Sequence, residues 1–241
     1  MNINYISESK CGLVRDTNQD HAGTLQTYDG FLAVVCDGVG GNNGGERASE
    51  LAVDSIISAF KESTSDNPLL KIRDGIRFAN KRIAEEAALD PELKGMATTV
   101  VALYLDKEGA YWAHAGDSRI YFYNQNELEQ LTKDHSLVQS MVDKGLISEK
   151  TAETHPFKNI ITRAVGEKED IEIETGQMKI DYADEIKFLL CSDGVSGMLK
   201  KSDIVDILSL KDLSDMDVRI SELVEENGAT DNYTFIIISN K

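Results

Sequence analysis

Five aspartates and one arginine hold most of the chemistry available to this chain. Asp20, Asp37, Asp117, Asp193 and Asp231 each lie within two residues of a Gly, Asn or Ser, the residue types that tolerate turns. Most of them close or precede an apolar run, so the backbone can carry each carboxylate out of a core and into a cleft. Carboxylates without Cys or His companions favour hard cations, Mg²⁺ or Mn²⁺, over zinc. If the five converge, they can hold two cations a few ångströms apart. Such a pair lowers the pKa of a bridging water and orients it for in-line attack on phosphorus. Arg15, in the polar run Arg15-Asp16-Thr17-Asn18-Gln19-Asp20, would then grip the phosphoryl oxygens as a bidentate fork. No side-chain nucleophile is needed. Taken singly, each Asp-Gly or Asp-Asn reads as an ordinary turn.

The elements that must position these acids are legible as patterns. Phe31 to Gly41, FLAVVCDGVGG, is an apolar run that ends in an acid and a glycine-rich turn, the pattern of a strand buried on both faces with Asp37 at its exit. Phe188 to Gly194, FLLCSDG, repeats the plan with Asp193. Ala48, Leu51, Ala52, Ile56, Ala59 and Phe60 recur at three- and four-residue steps, as do Leu69, Ile72, Ile76, Ala79 and Ile83, which predicts two amphipathic helices, the second ending near Asp90-Pro91. Asn4 to Glu8 reads as a first strand. Thr98 to Leu105 and Ala110 to Tyr123 are β-rich, with a hairpin turn at 106–109. Gly116-Asp117-Ser118-Arg119 interrupts the second run, either as another hairpin turn or as the placement of Asp117 at a site. Glu129 to Ser136 reads as a strand end leading into Asp134-His135, and His135 reads as a structural hydrogen-bonding histidine. Residues 137–166 have weak periodicity, as a functional lid does. Then come strands at 171–180 and 186–191, a helix pair at 203–210 and 213–224, a turn at 228–232 and a last strand at 233–239. Helix pairs carrying apolar stripes need flat partners, so the expected architecture is α+β: two stacked, mostly antiparallel sheets with a helix pair outside each, a four-layer α-β-β-α sandwich in one domain spanning 1–241.

Composition narrows the classes. The 241 residues are 41% hydrophobic and 28% charged, ordinary for a globular protein. A net charge of −17 argues against nucleic-acid partners, whose phosphates are bound by Lys and Arg. No apolar run approaches the ~18–20 residues of a membrane span. The first ten residues show no basic-then-apolar signal, so the expected compartment is the cytoplasm. Three cysteines (Cys11, Cys36 and Cys191) do not make a disulfide framework, and Cys36 and Cys191 fall inside apolar runs as small buried hydrophobes.

Jointly the acids belong to a longer pattern. RDTNQD at 15–20, DGVGG at 37–41, GERAS at 45–49, ATT at 97–99, GDSR at 116–119, LTKDHS at 131–136, ITRAVG at 161–166, LLCSDGV at 189–195 and DNYT at 231–234 occur in this order. The chain thereby resembles the metal-dependent PPM protein phosphatases, the protein phosphatase 2C type, most closely their short bacterial branch. The resemblance implies a cytoplasmic serine/threonine phosphoprotein phosphatase that hydrolyses its substrate directly with no covalent intermediate, acts in signalling, and opposes a Ser/Thr kinase and that kinase's substrates. It implies that Arg15 takes the phosphate and that Asp37 and the Gly38 carbonyl join both metals of a central Mn²⁺ or Mg²⁺ pair. Asp193 and Asp231 would complete one metal, with Asp20 acting directly or through waters. Asp117 with Asp193 would form a third metal position, and 137–166 would be the family's flap. A monomer is expected. The alternative is a catalytically inactive member serving as a phosphoprotein-binding module. Two positions depart from the family. Val39 stands where many eukaryotic members have a histidine proposed as general acid, and Asn42 stands where many bacterial relatives have a histidine.

Overall fold

A computed structural model of the chain describes residues 3–39 and 44–241. The glycine turn at Gly40-Gly41 and the departure at Asn42 lie outside the described residues.

The strands are β1 (Asn4–Lys10), β2 (Asp20–Gln26), β3 (Gly30–Val39), β4 (Ala97–Thr98), β5 (Val100–Asp106), β6 (Gly109–Ala115), β7 (Arg119–Asn124), β8 (Glu127–Gln130), β9 (Glu174–Lys179), β10 (Ile186–Cys191) and β11 (Tyr233–Ser239). The helices are α1 (Gly44–Glu62), α2 (Pro68–Leu89), α3 (Leu137–Asp143), α4 (Glu149–Glu153), α5 (Asp193–Ser196), α6 (Lys201–Leu208) and α7 (Leu213–Glu226). One sheet runs β1-β11-β10-β7-β8 and the other β2-β3-β5-β6-β9, with β4 paired to β3. Every described pairing is antiparallel.

Side-chain alternation sorts the apolar residues into three layers of core. Along β3, Phe31, Ala33 and Val35 point between the sheets, where they meet Val101, Leu103, Phe188, Leu190, Ile236 and Ile238. Leu32, Val34 and Cys36 point the other way, onto Ala48, Ala52, Ile56, Ile72 and Ile76 of α1 and α2. Leu189, Cys191, Tyr233, Phe235 and Ile237 likewise pack outward on Ile204, Ile207, Met216 and Ile220 of α6 and α7. Strands buried on both faces lose the polar alternation of a half-exposed strand, which is why β3, β10 and β11 read as continuous apolar runs. The expected four-layer sandwich is the observed one. At ~1.5–3 kcal/mol for each fully buried large apolar side chain, the layer between the sheets is a principal source of cohesion.

Helix ends follow the sequence. Asn67 caps α2, accepting from the Leu69 and Leu70 amides, with Pro68 in the first turn. The helix stops at Asp90, ahead of Pro91. Among the described residues no helix is long and apolar enough to cross a membrane.

Four expectations need correction. β2 is a strand that the polar run did not announce; its half-buried DHAGTLQ lies at the edge of its sheet, so it carries no apolar run. β3 continues two residues beyond Asp37, because Gly38 and Val39 pair with Thr98 and Ala97. The break at 116–118 is no hairpin: β6 belongs to one sheet and β7 to the other, so the chain changes sheets there. Finally, the strands expected at 171–180 and 129–136 are shorter or shifted, at Glu174–Lys179 and Glu127–Gln130.

Candidate active site

Asp20 and Asp37 are directly opposite one another across the β2–β3 ladder. Opposed residues of an antiparallel pair share a face. Asp37 has the parity of Phe31, Ala33 and Val35, so both carboxylates emerge at the open end of the layer between the sheets. The backbone of Asp37 is pinned on both sides. Its amide donates to Thr99 Oγ1 at 3.0 Å, and its carbonyl accepts from the Thr99 amide at 2.8 Å and from Thr98 Oγ1 at 2.8 Å. Thr99 Oγ1 in turn meets Ser118 Oγ at 2.7 Å, which ties the loop carrying Asp117 to the same strand. Gly38 cannot be anything larger: a Cβ there would fall onto the Gly45 carbonyl at the start of α1.

The other sheet supplies the remaining acids. β10 ends at Cys191, and Asp193 follows as the first residue of α5. Asp231 precedes β11 and forms an ion pair with Arg15 Nη2 at 2.8 Å. Ser192, fully buried, donates its hydroxyl to Asp20 Oδ2 at 2.7 Å and accepts the Thr234 amide at 3.0 Å, linking an acid of one sheet to the backbone of the other. Asp117 is buried in the crossing between β6 and β7.

The electrostatics report the convergence. Burial raises the Asp37 carboxyl well above the ordinary range, and the charges of Asp20, Asp193, Asp117 and Asp231 raise it further. Burial raises Asp20 to about 7 against the hydrogen bonds from Ser192 and Thr234, with Asp193 and Asp231 adding to the rise. Asp117 is likewise raised to about 7, first by burial and then by Asp193 and Asp134. Asp193 is raised by burial and by Asp231, offset by its hydrogen bond with Asp37 and by the charges of Arg119 and Lys158. Arg15 is the cation that pairs directly with the cluster, and it is half exposed. The charges of Asp20, Asp193, Asp117 and Asp231 all act on Asp37, and carboxylates, with oxygen as their only donor atom, are the ligands that hard divalent cations take. The residues present therefore fit Mn²⁺ or Mg²⁺.

Several residues around the site had no role assigned from the sequence. Arg119 forks onto Asp134 at 2.9 and 2.7 Å, fastening the β7 start to the segment before α3. His135 is buried and structural, as expected. Its Nδ1 accepts the Gly116 amide at 3.1 Å, next to Asp117, and its ring stacks on His114 with centroids 4.7 Å apart and planes 10° from parallel. Burial, with His114 and Arg163 adding, lowers its pKa to about 4. His114, His135 and Glu174 bring potential ligand atoms within 4.8 Å of one another. They do not form a convincing cation site: Arg163 Nη1 already sits 2.9 Å from His135 Nε2 and 3.1 Å from Glu174 Oε1, and near-parallel rings cannot aim their in-plane lone pairs at one point. Lys158, in the 137–166 segment, acts on Asp193 and gave no motif signal because it is a lone exposed lysine.

Comparison with known proteins identifies the class to which this two-sheet sandwich belongs. The protein phosphatase 2C family model matches residues 14–230. A serine/threonine phosphatase stp of Listeria welshimeri is 37% identical over 94% of this chain and 92% of its own length. The crystal structure of serine/threonine phosphatase Stp1 from Staphylococcus aureus superposes with a TM-score of 0.93 at 30% identity, covering 99% of this chain and 95% of that one. The catalytic domain of the phosphatase PstP, solved in complex with 2 manganese ions, superposes with a TM-score of 0.84 at 30% identity over 98% of this chain and 97% of that one. The chain belongs to the protein phosphatase 2C family, and it is a serine/threonine protein phosphatase of the bacterial type.

Proposed function

We propose that this chain is a Mn²⁺- or Mg²⁺-dependent phosphatase that removes phosphate from phosphoserine and phosphothreonine by direct attack of water. The observation that carries this reading is that Asp20 and Asp37 face one another across the β2–β3 ladder, with Asp117, Asp193 and Asp231 close enough for their charges to add to the burial that raises the Asp37 carboxyl. Asp37 and the Gly38 carbonyl would be shared by two cations, Asp193 and Asp231 would complete one of them, Asp20 would bind directly or through water, and Asp117 with Asp193 would hold a third. Cations held there supply an acidified water at neutral pH and neutralise the incoming phosphate. The chain's own residues do the remainder. Arg15, at the exposed rim, orients the phosphoryl oxygens with its fork. Ser192 keeps Asp20 aimed into the cluster. Thr98 and Thr99 fix the backbone of Asp37. Val39 has no proton to give, so the leaving alcohol takes its proton from solvent or from another group at the rim.

The whole chain acts as one catalytic domain, with 137–166 as a flap over the cleft. Its substrates are phosphoproteins generated by a cognate Ser/Thr kinase, and it works as a cytoplasmic monomer in signalling. The test is hydrolysis of a phosphothreonine peptide against Mn²⁺ concentration for the wild type, Asp37→Ala and Asp193→Ala. Both variants lose turnover, and EDTA abolishes wild-type activity. Turnover that survives both substitutions, or EDTA, refutes the reading.

A further inference from the structure

We propose that Asn232 is the positioning residue of the phosphate clamp, holding the Arg15 loop against Asp231 through one side-chain amide. The inference rests on the reading of Arg15 as the residue that takes the phosphate.

Arg15 lies in the stretch 11–19, between the end of β1 and the start of β2, with no helix or strand of its own. Its guanidinium is half exposed and its ion pair is with Asp231. A polar loop of this kind holds a geometry only if its backbone groups find partners. Asn232 provides three of them. Its Nδ2 donates to the Cys11 carbonyl at 2.9 Å and to the Thr17 carbonyl at 2.8 Å, and its Oδ1 accepts the Gln19 amide at 2.8 Å. One buried side chain thus fastens both ends of the loop that carries Arg15. The amide orientation is forced, since two carbonyls need donors and one N–H needs an acceptor. The backbone of the same residue donates to Asp231 Oδ1 at 2.8 Å, so the acid and the loop are set by neighbouring bonds. The loop crosses close over this segment: the Leu13 amide donates to the Ala229 carbonyl at 2.9 Å, and Gly12, at φ 76°, lies where a Cβ would fall onto the Asp231 carbonyl.

Aspartate is the informative replacement, because it matches asparagine in shape and has no donor to offer the two carbonyls. A loop released at Cys11 and Thr17 lets the Arg15 fork drift, and misplacement by ~1 Å costs up to about 100-fold. Cys11 gives a separate readout, since it lies under the Asn232 amide and is partly accessible, whereas Cys36 and Cys191 are fully buried.

The experiment compares wild type, Asn232→Asp, Arg15→Ala and the double variant on a phosphothreonine peptide at saturating Mn²⁺. It also follows Cys11 modification by DTNB, with Asn232→Ser made alongside in case the aspartate variant does not fold. Asn232→Asp should lower kcat/KM roughly 10- to 100-fold, mainly through a raised KM. In the Arg15→Ala background the same change should cost less than about threefold, because coupled residues do not add. Cys11 should react at least about tenfold faster in either Asn232 variant while circular dichroism is unchanged. Equal losses in both backgrounds, or an unchanged Cys11 rate, overturn the positioning role while leaving Arg15 as the clamp. Wild-type kcat/KM in Arg15→Ala instead overturns the clamp reading, and this proposal with it.

Discussion

Replacing Asp20 with asparagine should stabilise the metal-free protein while removing its activity. The Asp20 carboxyl is raised from 3.8 to about 7, chiefly by burial. A raised folded-state pKa means that between these values the folded protein keeps a proton the unfolded chain has lost. The stability linked to that proton is present below pH 3.8 and is lost as pH climbs to 7. At 1.36 kcal/mol per pKa unit the loss is about 2 kcal/mol at pH 5 and about 4 kcal/mol at pH 7.5. Asparagine keeps the shape and an acceptor for Ser192 and has no proton to lose. The stability of Asp20→Asn relative to wild type should therefore grow by about 2–3 kcal/mol from pH 5 to pH 7.5, a gain of roughly 5–10 °C in Tm for a chain of this size. The difference between the two proteins is the quantity to follow, because the lowered pKa values of His114 and His135 work in the opposite direction and are common to both. The assay is thermal melting of both proteins in EDTA at the two pH values, with phosphopeptide hydrolysis in Mn²⁺ alongside. A Tm difference that stays flat or shrinks with pH refutes the argument that Asp20 is held against its charge.

Other substitutions separate scaffold from site. Gly38→Ala drives a methyl group into the Gly45 carbonyl, so it should abolish soluble expression or lower Tm by more than 10 °C, at ~2–4 °C per kcal/mol, as read by melting curves. His135→Ala leaves the buried Gly116 amide without its acceptor, at a cost of about 1–3 kcal/mol in urea unfolding, and should raise the Mn²⁺ concentration needed for half-maximal activity by loosening Asp117. Lys187 is buried at the far side of the five-stranded sheet and donates to the Leu208 and Leu210 carbonyls, both at 2.9 Å. Lys187→Met should cost about 2–3 kcal/mol in urea unfolding with kcat/KM unchanged, since nothing near the acids depends on it.

What the sequence reveals depends on burial. β3, β10 and β11 are interior strands with both faces covered, so their apolar runs are visible without context. The stripes of α1, α2, α6 and α7 repeat at helical spacing, because each helix has one covered face. β2 escapes notice because an edge strand with half-buried DHAGTLQ has neither an apolar run nor alternation. The sheet change at 116–118 is equally silent: a polar interruption between apolar segments has the same local sequence whether the chain turns back or crosses to another sheet. The acids stand out singly by their place beside turns, and only the longer family pattern joins them into a proposed set. Their partners were not, since Ser192 reaches Asp20 across 172 positions and Asn232 reaches Thr17 across 215. Contacts of that separation depend on topology and leave no local pattern, and the stack of His114 on His135 is hidden for the same reason.

The most direct measurement is calorimetric titration of the metal-free protein with Mn²⁺ at pH 7, in two buffers of different ionisation enthalpy. If the five aspartates form one cation centre, at least two ions bind. Because Asp20 and Asp117 sit near 7 before the metal arrives, binding releases protons and the apparent enthalpy differs between buffers. Asp37→Asn should remove the binding of the central pair. Binding that is independent of buffer, or two ions retained by Asp37→Asn, would contradict the account.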